Sequence, residues 1–578
     1  MLKLVARYLR LYKKEAVIGP IAKLTEAVFE LIVPIVMSKI IDIGIVNKDM
    51  SYVLKMGGIL LLLGILGLCF ALICQYFASK ASQGVGTALR NDLFRHINTL
   101  SAAEIDKMGT STLITRINSD VNQIQLSVAM LIRLAVRAPF LVIGSTIAAM
   151  LIDLKLSIIF LIATPLLAAV LFLVMRYSVP FYKVIQQKLD KVTLITRENL
   201  SGARVIRAFS KQKHEEERFE NAADELADIS MSVGKVSALL SPLTYVIMNT
   251  AIIFIIWFGG KGVNVGNLTQ GEVTALVNYI TQIMLAMVVL ANIIVIFTKG
   301  SASAARIEDI FSTKPSVVEG TDGDIELERT KEAVKFENVT FSYNKKSEKT
   351  VLDSVSFTVE KGQRVGIIGG TGSGKSTAVN LIPRFYDTDS GNISVFGKNV
   401  RDFSFKQLRS IIAVVPQRSV LFSGTIRDNM KLGNKTASDS EIRYALDIAQ
   451  AGEFVDKLAD GLDYKIERGG TNLSGGQKQR LAIARAIAAK PEILILDDSS
   501  SALDFATEAR LRYGLNQLKD TAVITTTQRV SCVMHCDKII VIDDGKVVGT
   551  GSHDELIKTC EIYKEICVSQ LKQTEAER

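Results

Sequence analysis

The sequence predicts a six-span helical membrane region fused to an α/β domain of the phosphate-loop type. Three observations predict it. Six long apolar runs fill the first half of the 578 residues. The second half turns to strand-like alternation and short buried-type strands, one of which leads into Gly369-Gly370-Thr371-Gly372-Ser373-Gly374-Lys375-Ser376-Thr377. The charge is divided unevenly: residues 1–320 hold 32 Lys and Arg against 23 Asp and Glu, whereas residues 321–578 hold 36 of each.

The apolar runs lie near 16–46, 53–79, 128–152, 155–180, 237–262 and 270–298. Each is long enough for the roughly 20 helical residues that cross a hydrocarbon core. A mean hydropathy of +0.27 over so long a chain argues against a purely soluble protein. Six cysteines in 578 residues exclude a secreted disulfide scaffold. Lys3, Arg7, Arg10, Lys13 and Lys14 precede the first run, which is too long for a signal peptide and lacks a small-residue cleavage pattern. These positive residues place the N-terminus in the cytoplasm, and six crossings bring the chain back there. The basic excess fits cytoplasmic loops beside a membrane, not a nucleic-acid partner.

The connections at 47–52, 153–154 and 263–269 are short and fall outside; 80–127 and 181–236 are long, polar, helix-patterned arms that fall inside. Prolines 20, 34, 139, 165 and 242 lie in or near spans, where they shape helices. Glu26 and Glu30, one turn apart, and Arg133 and Arg137, likewise one turn apart, are ionisable groups at membrane depth. They read either as a Glu–Arg network between two helices or as the lining of a substrate cavity, with Asn249, Asn278, Gln282 and Asn292 beside it. The membrane domain is expected over 1–305, a linker over 306–331, and a nucleotide-binding domain over 332–578.

The alternation Val334-Lys335-Phe336-Glu337-Asn338-Val339-Thr340-Phe341 opens that last domain as a strand. Arg364 to Ile368 is a buried-type strand running into the glycine loop 369–377, and an apolar helix pattern follows from Ala378 to Ile382. Glycines let backbone N–H groups wrap phosphates, and the following helix adds its positive end. Lys375 is placed for the β- and γ-phosphates of ATP and Ser376 for Mg²⁺. Ile493 to Asp498 is a second buried strand ending in acids, with Asp497 placed to hold Mg²⁺. Leu473-Ser474-Gly475-Gly476-Gln477 opens another phosphate-type helix N-terminus. Two such ends in one domain cannot easily serve one nucleotide, so the geometry calls for two domains closing on each other. Cys532, His535 and Cys536 lack a fourth ligand and make a poor zinc site.

Together these motifs resemble a half-transporter of the ABC exporter family, over essentially the whole chain. The resemblance implies that Ser474 to Gln477 is the signature, Ser501-Ala502-Leu503-Asp504 the D-loop, and Gln417 in Val415-Pro416-Gln417 the Q-loop with a hand on Mg²⁺. It implies that Tyr343 stacks on adenine. Glu198 to Phe209 resembles the second inner loop of exporters, and short coupling helices are expected near 108–118 and 208–218. The family normally has Glu where this chain has Asp498, the base beside the attacking water. Asp is one methylene shorter, about 1.5 Å less reach. The family also has a His contacting the γ-phosphate where this chain has Gln528, and an amide can hydrogen-bond there but cannot supply positive charge. With the signature intact, the pattern resembles the degenerate-site subunit of a bacterial heterodimeric multidrug exporter. The implied function is ATP-driven export of amphipathic small molecules, drugs or lipids across the plasma membrane, with a second half-transporter as partner. A homodimer, a peptide or lipid exporter, an importer of exporter fold, and a nucleotide-gated channel or regulator are the alternatives.

Overall fold

The computed structural model describes residues 2–320, 326–327, 330–343, 350–499 and 503–576. The chain forms two compact units: Met1–Asn98 with Ser111–Thr313, and Thr99–Thr110 with Lys314–Arg578.

The first unit is helical. Its main elements are α1 (Lys13–Lys39) and α2 (Met50–Ile97), then, beyond the short α3 (Ala102–Met108), α4 (Thr110–Ile152), α5 (Ser157–Ser201), α6 (Ala203–Ala208), α7 (Gln212–Val265) and α8 (Gln270–Ser312). The 48 residues of α2 measure about 70 Å, more than twice a hydrocarbon core of about 30 Å. The polar arms at 80–127 and 181–236 therefore continue the apolar helices: α2 and α4 extend through the first, α5 and α7 through the second. Among the described residues five helices, α2, α4, α5, α7 and α8, are long and apolar enough to cross a membrane. The sequence led us to expect six. The helix of the first run, α1, falls short because Lys23, Glu26 and Glu30 interrupt its apolar stretch.

Those charges are paired. Lys23 bonds Glu26 at 2.7 Å, and Arg137 bonds both oxygens of Glu30 at 2.5 and 2.7 Å. The predicted Glu–Arg network is thus half present: Glu26 takes the nearer Lys23 on its own helix. Pro139 lies in α4 just past a π-helical stretch, Leu131–Ala135. Proline there frees the carbonyl one turn back, and the wider turn absorbs the mismatch. At the other end of α1, Asp42 accepts from Thr269 Oγ1 (2.6 Å) and from the Gly271 N–H (2.7 Å). Gly271 is required there, because a Cβ would lie 2.3 Å from the Ser38 carbonyl oxygen. Buried Ala149, Phe160, Ile255, Tyr279 and Ile283 fill the core between α4, α5, α7 and α8.

The expected 108–118 spans the end of α3, Gly109 and the start of α4, and 208–218 spans the end of α6 and the start of α7. Ser101 and Glu104 form a capping box that starts α3, and Gly109, at φ +78°, stops it. Gly202 precedes α6.

The second unit is α/β. An antiparallel sheet contains β1 (Glu332–Phe341), β2 (Leu352–Glu360), β4 (Ser390–Val395) and β5 (Lys398–Asn399) in the order β2-β1-β4-β5. A six-stranded sheet runs β10-β9-β3-β8-β7-β6, with β3 (Arg364–Ile368), β6 (Ile412–Val415), β7 (Ile493–Asp497), β8 (Ala522–Thr527), β9 (Lys538–Asp543) and β10 (Lys546–Gly551). Five of its strands, β9 to β6 in that order, are parallel, and β10 pairs antiparallel at the other edge. All five residues of β7 are buried, as a parallel strand covered on both faces requires. The expected alternation in β1 breaks at Glu337-Asn338, two successive exposed residues, where Asn338 turns to φ +49° in a bulge. Helices α9 (Lys375–Leu381), α10 (Gly475–Ala488), α11 (Phe505–Leu515) and α12 (Glu561–Ala576) complete the elements used below.

The segment carrying α3 belongs to this unit although it lies far back in the chain. Tyr386 Oη donates to Asp106 Oδ2 at 2.7 Å, and the Val317 N–H donates to Ser101 Oγ at 3.0 Å.

Candidate nucleotide site

The carboxyl ends of parallel strands are where open α/β sheets bind ligands. Here β3 leads into the glycine loop, β6 into Gln417, β7 into Asp497 and Asp498, and β8 into Gln528. Register brings them to one edge: Thr526 pairs with Asp497, and Val415 with Leu496.

The loop is built tightly. A Cβ on Gly369 would lie 2.0 Å from the Ile542 carbonyl oxygen, and Gly374 adopts φ +103° to open α9. The Lys375 ammonium lies inside the loop, donating to the carbonyls of Gly369 (2.9 Å) and Gly370 (2.6 Å) and to Ser373 Oγ (3.3 Å). Burial pushes its pKa down, while the Asp498 and Asp497 carboxylates hold it up. Ser376 Oγ donates to Asp497 Oδ1 at 2.8 Å, and Thr526 Oγ1 donates to the same oxygen at 2.6 Å. A serine hydroxyl, a carboxylate and the Gln417 amide oxygen are hard oxygen donors and suit Mg²⁺.

Asp498 is held in a left-handed backbone, φ +45°, and its N–H donates to the Thr526 carbonyl oxygen at 3.0 Å. Gln417 Nε2 donates to Asp498 Oδ2 at 3.1 Å. Burial raises the Asp498 carboxyl pKa, the Gln417 bond pulls it back, and the nearby Asp497 charge raises it further. Gln528 Oε1 accepts from Thr371 Oγ1 on the glycine loop at 3.4 Å. Tyr343 sits at the end of β1, its Oη 3.1 Å from Thr377 Oγ1 and its ring edge-on to Tyr386, 5.2 Å between centroids. The ring is 55% exposed, so it is not a core tyrosine.

The 369–377 loop, Gln417, Asp497, Asp498 and Gln528 thus gather at the carboxyl ends of the parallel strands, with Tyr343 beside Thr377. Sequence reasoning missed Thr526. The signal was present in the sequence, a threonine run at the end of a strand beside an acid-ended strand, but it needs the strand pairing to be read.

The signature residues form a second feature. Ser474 caps α10 and shares a capping box with Gln477: the Gln477 N–H donates to Ser474 Oγ (3.3 Å) and the Ser474 N–H to Gln477 Oε1 (2.8 Å). Ser474 and Gly475 are exposed, and a Cβ on Gly475 meets nothing within 4 Å. Gly476 follows in the first turn. Asp504 caps α11, accepting from the Thr507 N–H (2.9 Å) and Thr507 Oγ1 (2.8 Å). Ser501 and Ala502 of the expected D-loop lie outside the described residues.

A phosphate-loop ATPase unit joined in one chain to a bundle of long membrane helices defines an ATP-driven membrane transporter. The chain belongs to the ABC transporter family. Residues 17–287 match the family model described as ABC transporter transmembrane region, and residues 352–501 match the model described as ABC transporter. An uncharacterized ABC transporter ATP-binding protein of Mycobacterium tuberculosis is 34% identical over 575 residues, 99% of this chain and 98% of its own. Another uncharacterized one, of Bacillus subtilis, is 36% identical over 564 residues, 97% of each chain. An ATP-dependent lipid A-core flippase of Vibrio parahaemolyticus is 30% identical over 562 residues, 97% of this chain and 96% of its own. The solved structure of a bacterial Atm1-family ABC exporter with ATP bound shares the fold, with a TM-score of 0.80, 24% identity, and coverage of 96% of this chain and 98% of that one. The protein is therefore an ATP-hydrolysing half-transporter of exporter fold, which works as a dimer with itself or with another ABC subunit.

Proposed function

We propose that this chain exports amphipathic small molecules, drugs or lipids, and that it does so paired with a second, different half-transporter. Its own site, formed by Lys375, Ser376, Gln417, Asp497, Asp498 and Gln528, holds ATP and turns it over slowly. Ser474 to Gln477 complete the faster site on the partner's phosphate loop. Tyr343 stacks on adenine, and Asp504 lies across the dimer seam.

The observation that carries the reading is Asp498. It is a short carboxylate, tied at 3.1 Å to Gln417 on a left-handed backbone. A general base must reach the water it activates, and this one is shortened and already engaged. Gln528 adds no positive charge to a transition state whose stabilisation is nearly all electrostatic. Mg²⁺, when bound to Ser376, Asp497 and Gln417, supplies charge neutralisation at the phosphates.

On the membrane side, the paired charges of α1 support its being the sixth span, since an ion pair costs less in lipid than two separate charges. With it, the N-terminus and the ATP unit lie in the cytoplasm. The division into membrane domain (1–305), linker (306–331) and nucleotide-binding domain (332–578) goes with this reading. Glu30, Arg137 and Gln282 line a cavity of about 160 Å³, which we assign to the substrate path. The flippase relative, named for lipid A-core, supports the lipid end of the substrate range.

The test is ATPase activity of the chain purified alone and after co-expression with a second half-transporter. Slow turnover alone and a strong rise in the pair are expected. Fast, cooperative turnover by the chain alone would favour the homodimer. Transport against a gradient by the reconstituted protein separates a pump from a nucleotide-gated channel.

A further inference from the structure

The C-terminal helix α12 contains none of the motifs above, yet it reaches the edge of the nucleotide site. Its Tyr563 and Cys567 belong to one buried cluster with Ile368, Val533, Ile539 and Val541. Ile368 is the last residue of β3, directly before the glycine loop. Tyr563, Cys567 and Gln570 are four and three residues apart and so share one helix face.

From that face the Gln570 amide makes two hydrogen bonds to the loop after β8. Its Nε2 donates to the Gln528 carbonyl oxygen at 2.7 Å, and its Oε1 accepts from the Val530 N–H at 2.8 Å. The two bonded residues flank Arg529. One planar amide thus satisfies a carbonyl and an N–H two residues apart, as a neighbouring strand would. In front of this clasp the Gln528 side chain meets Thr371 on the glycine loop; behind it the short helix Val530–Val533 begins.

We infer that Gln570 is a positioning residue for Gln528. It fixes the backbone from which Gln528 reaches the glycine loop, and so sets how firmly the site grips the γ-phosphate of ATP. Holding that backbone in one conformation before ATP arrives removes an ordering cost that binding would otherwise meet. The inference rests on the reading of Gln528 as the γ-phosphate contact.

ADP lacks the γ-phosphate, so the ratio of ATP to ADP affinity is a readout that a merely structural role would not move. The experiment measures equilibrium binding of ATP and of ADP to the full-length exporter in EDTA, which stops turnover. The variants are Gln528→Ala, Gln570→Ala and Gln570→Met; the last keeps the side-chain length and loses both hydrogen bonds, so that packing is preserved. Gln570→Ala and Gln570→Met should each weaken ATP binding roughly three- to tenfold, the loss expected of hydrogen bonds of ordinary net strength, with ADP binding unchanged. Combined with Gln528→Ala, they should add nothing further, as for two residues acting through one contact. If Gln528→Ala removes the preference for ATP while both Gln570 variants keep it, the inference is overturned and the reading of Gln528 stands. If Gln528→Ala itself leaves the preference intact, the reading of Gln528 falls and the inference falls with it. Equal loss of ATP and ADP binding in both Gln570 variants also overturns it.

Discussion

Gln417 donates its side-chain amide to the Asp498 carboxylate at 3.1 Å, joining the end of β6 to the end of β7. The bond occupies the carboxylate that stands where the family has its base, and it ties that carboxylate to Gln417, which we propose as an Mg²⁺ ligand. Lengthening the Asp498 side chain and restoring charge opposite it should rescue chemistry. In the chain assembled with itself, Asp498→Glu with Gln528→His should raise ATP turnover at least tenfold, in keeping with the roughly 10²–10⁴-fold that a well-placed general base contributes. Steady-state ATPase measures it; an unchanged rate would mean that these two positions do not limit turnover.

Lys375→Ala should weaken nucleotide binding at this chain's own site and leave partial turnover in the assembled pair. Its ammonium is bonded to the Gly369 and Gly370 carbonyls, so the loop also loses an internal tie. Nucleotide occupancy and ATPase are read together. Complete loss of activity in a folded pair would contradict the division into a holding site and a working site.

Gly475→Asp and Asp498→Asn form a paired comparison. Nothing within the chain crowds a side chain at Gly475, so the variant should fold normally. At the partner's phosphates it would block the close backbone approach and add negative charge. Losing one such donor costs on the order of 3 kcal/mol, about a hundredfold in rate. Asp498→Asn should cost much less. Steady-state ATPase of the two mutant pairs decides, and greater damage from Asp498→Asn would reverse the assignment of the two sites.

Tyr386→Phe removes the hydrogen bond to Asp106 while keeping the ring contacts with Phe341 and Tyr343. About 1 kcal/mol of stability should be lost. Thermal unfolding of the purified exporter measures it, and an unchanged midpoint would show that the bond adds nothing.

Much of this site is legible in the sequence because phosphate binding demands particular residues at fixed local spacing. The glycine loop, Asp497 and the Ser474 cap are each read from a few consecutive residues. What escapes is set by contacts between distant segments. Thr526 becomes visible only when β8 pairs beside β7, and Gln570 only when α12 docks across the sheet. The membrane helices show the same boundary. Their existence follows from apolar length, but the partner of Glu26 does not: it is Lys23, three residues away on the same helix, and not an arginine of the expected Glu–Arg network. The start of α3 is set by the Ser101–Glu104 capping box and its stop by Gly109, local features that the resemblance does not supply.

The chain enters the ATP unit twice, at Thr99–Thr110 and again from Lys314. Asp106 therefore leaves the ribosome 280 residues ahead of Tyr386. At about 5–20 residues per second, α3 waits roughly 15–60 s for the strand and helix framework that will receive it. During that interval most of the apolar helices have been made, so membrane insertion precedes closure of the nucleotide unit. A fragment beginning at residue 332 would be born without the segment that Tyr386 binds, and its ATP unit would carry an open seat that Asp106 fills in the whole protein.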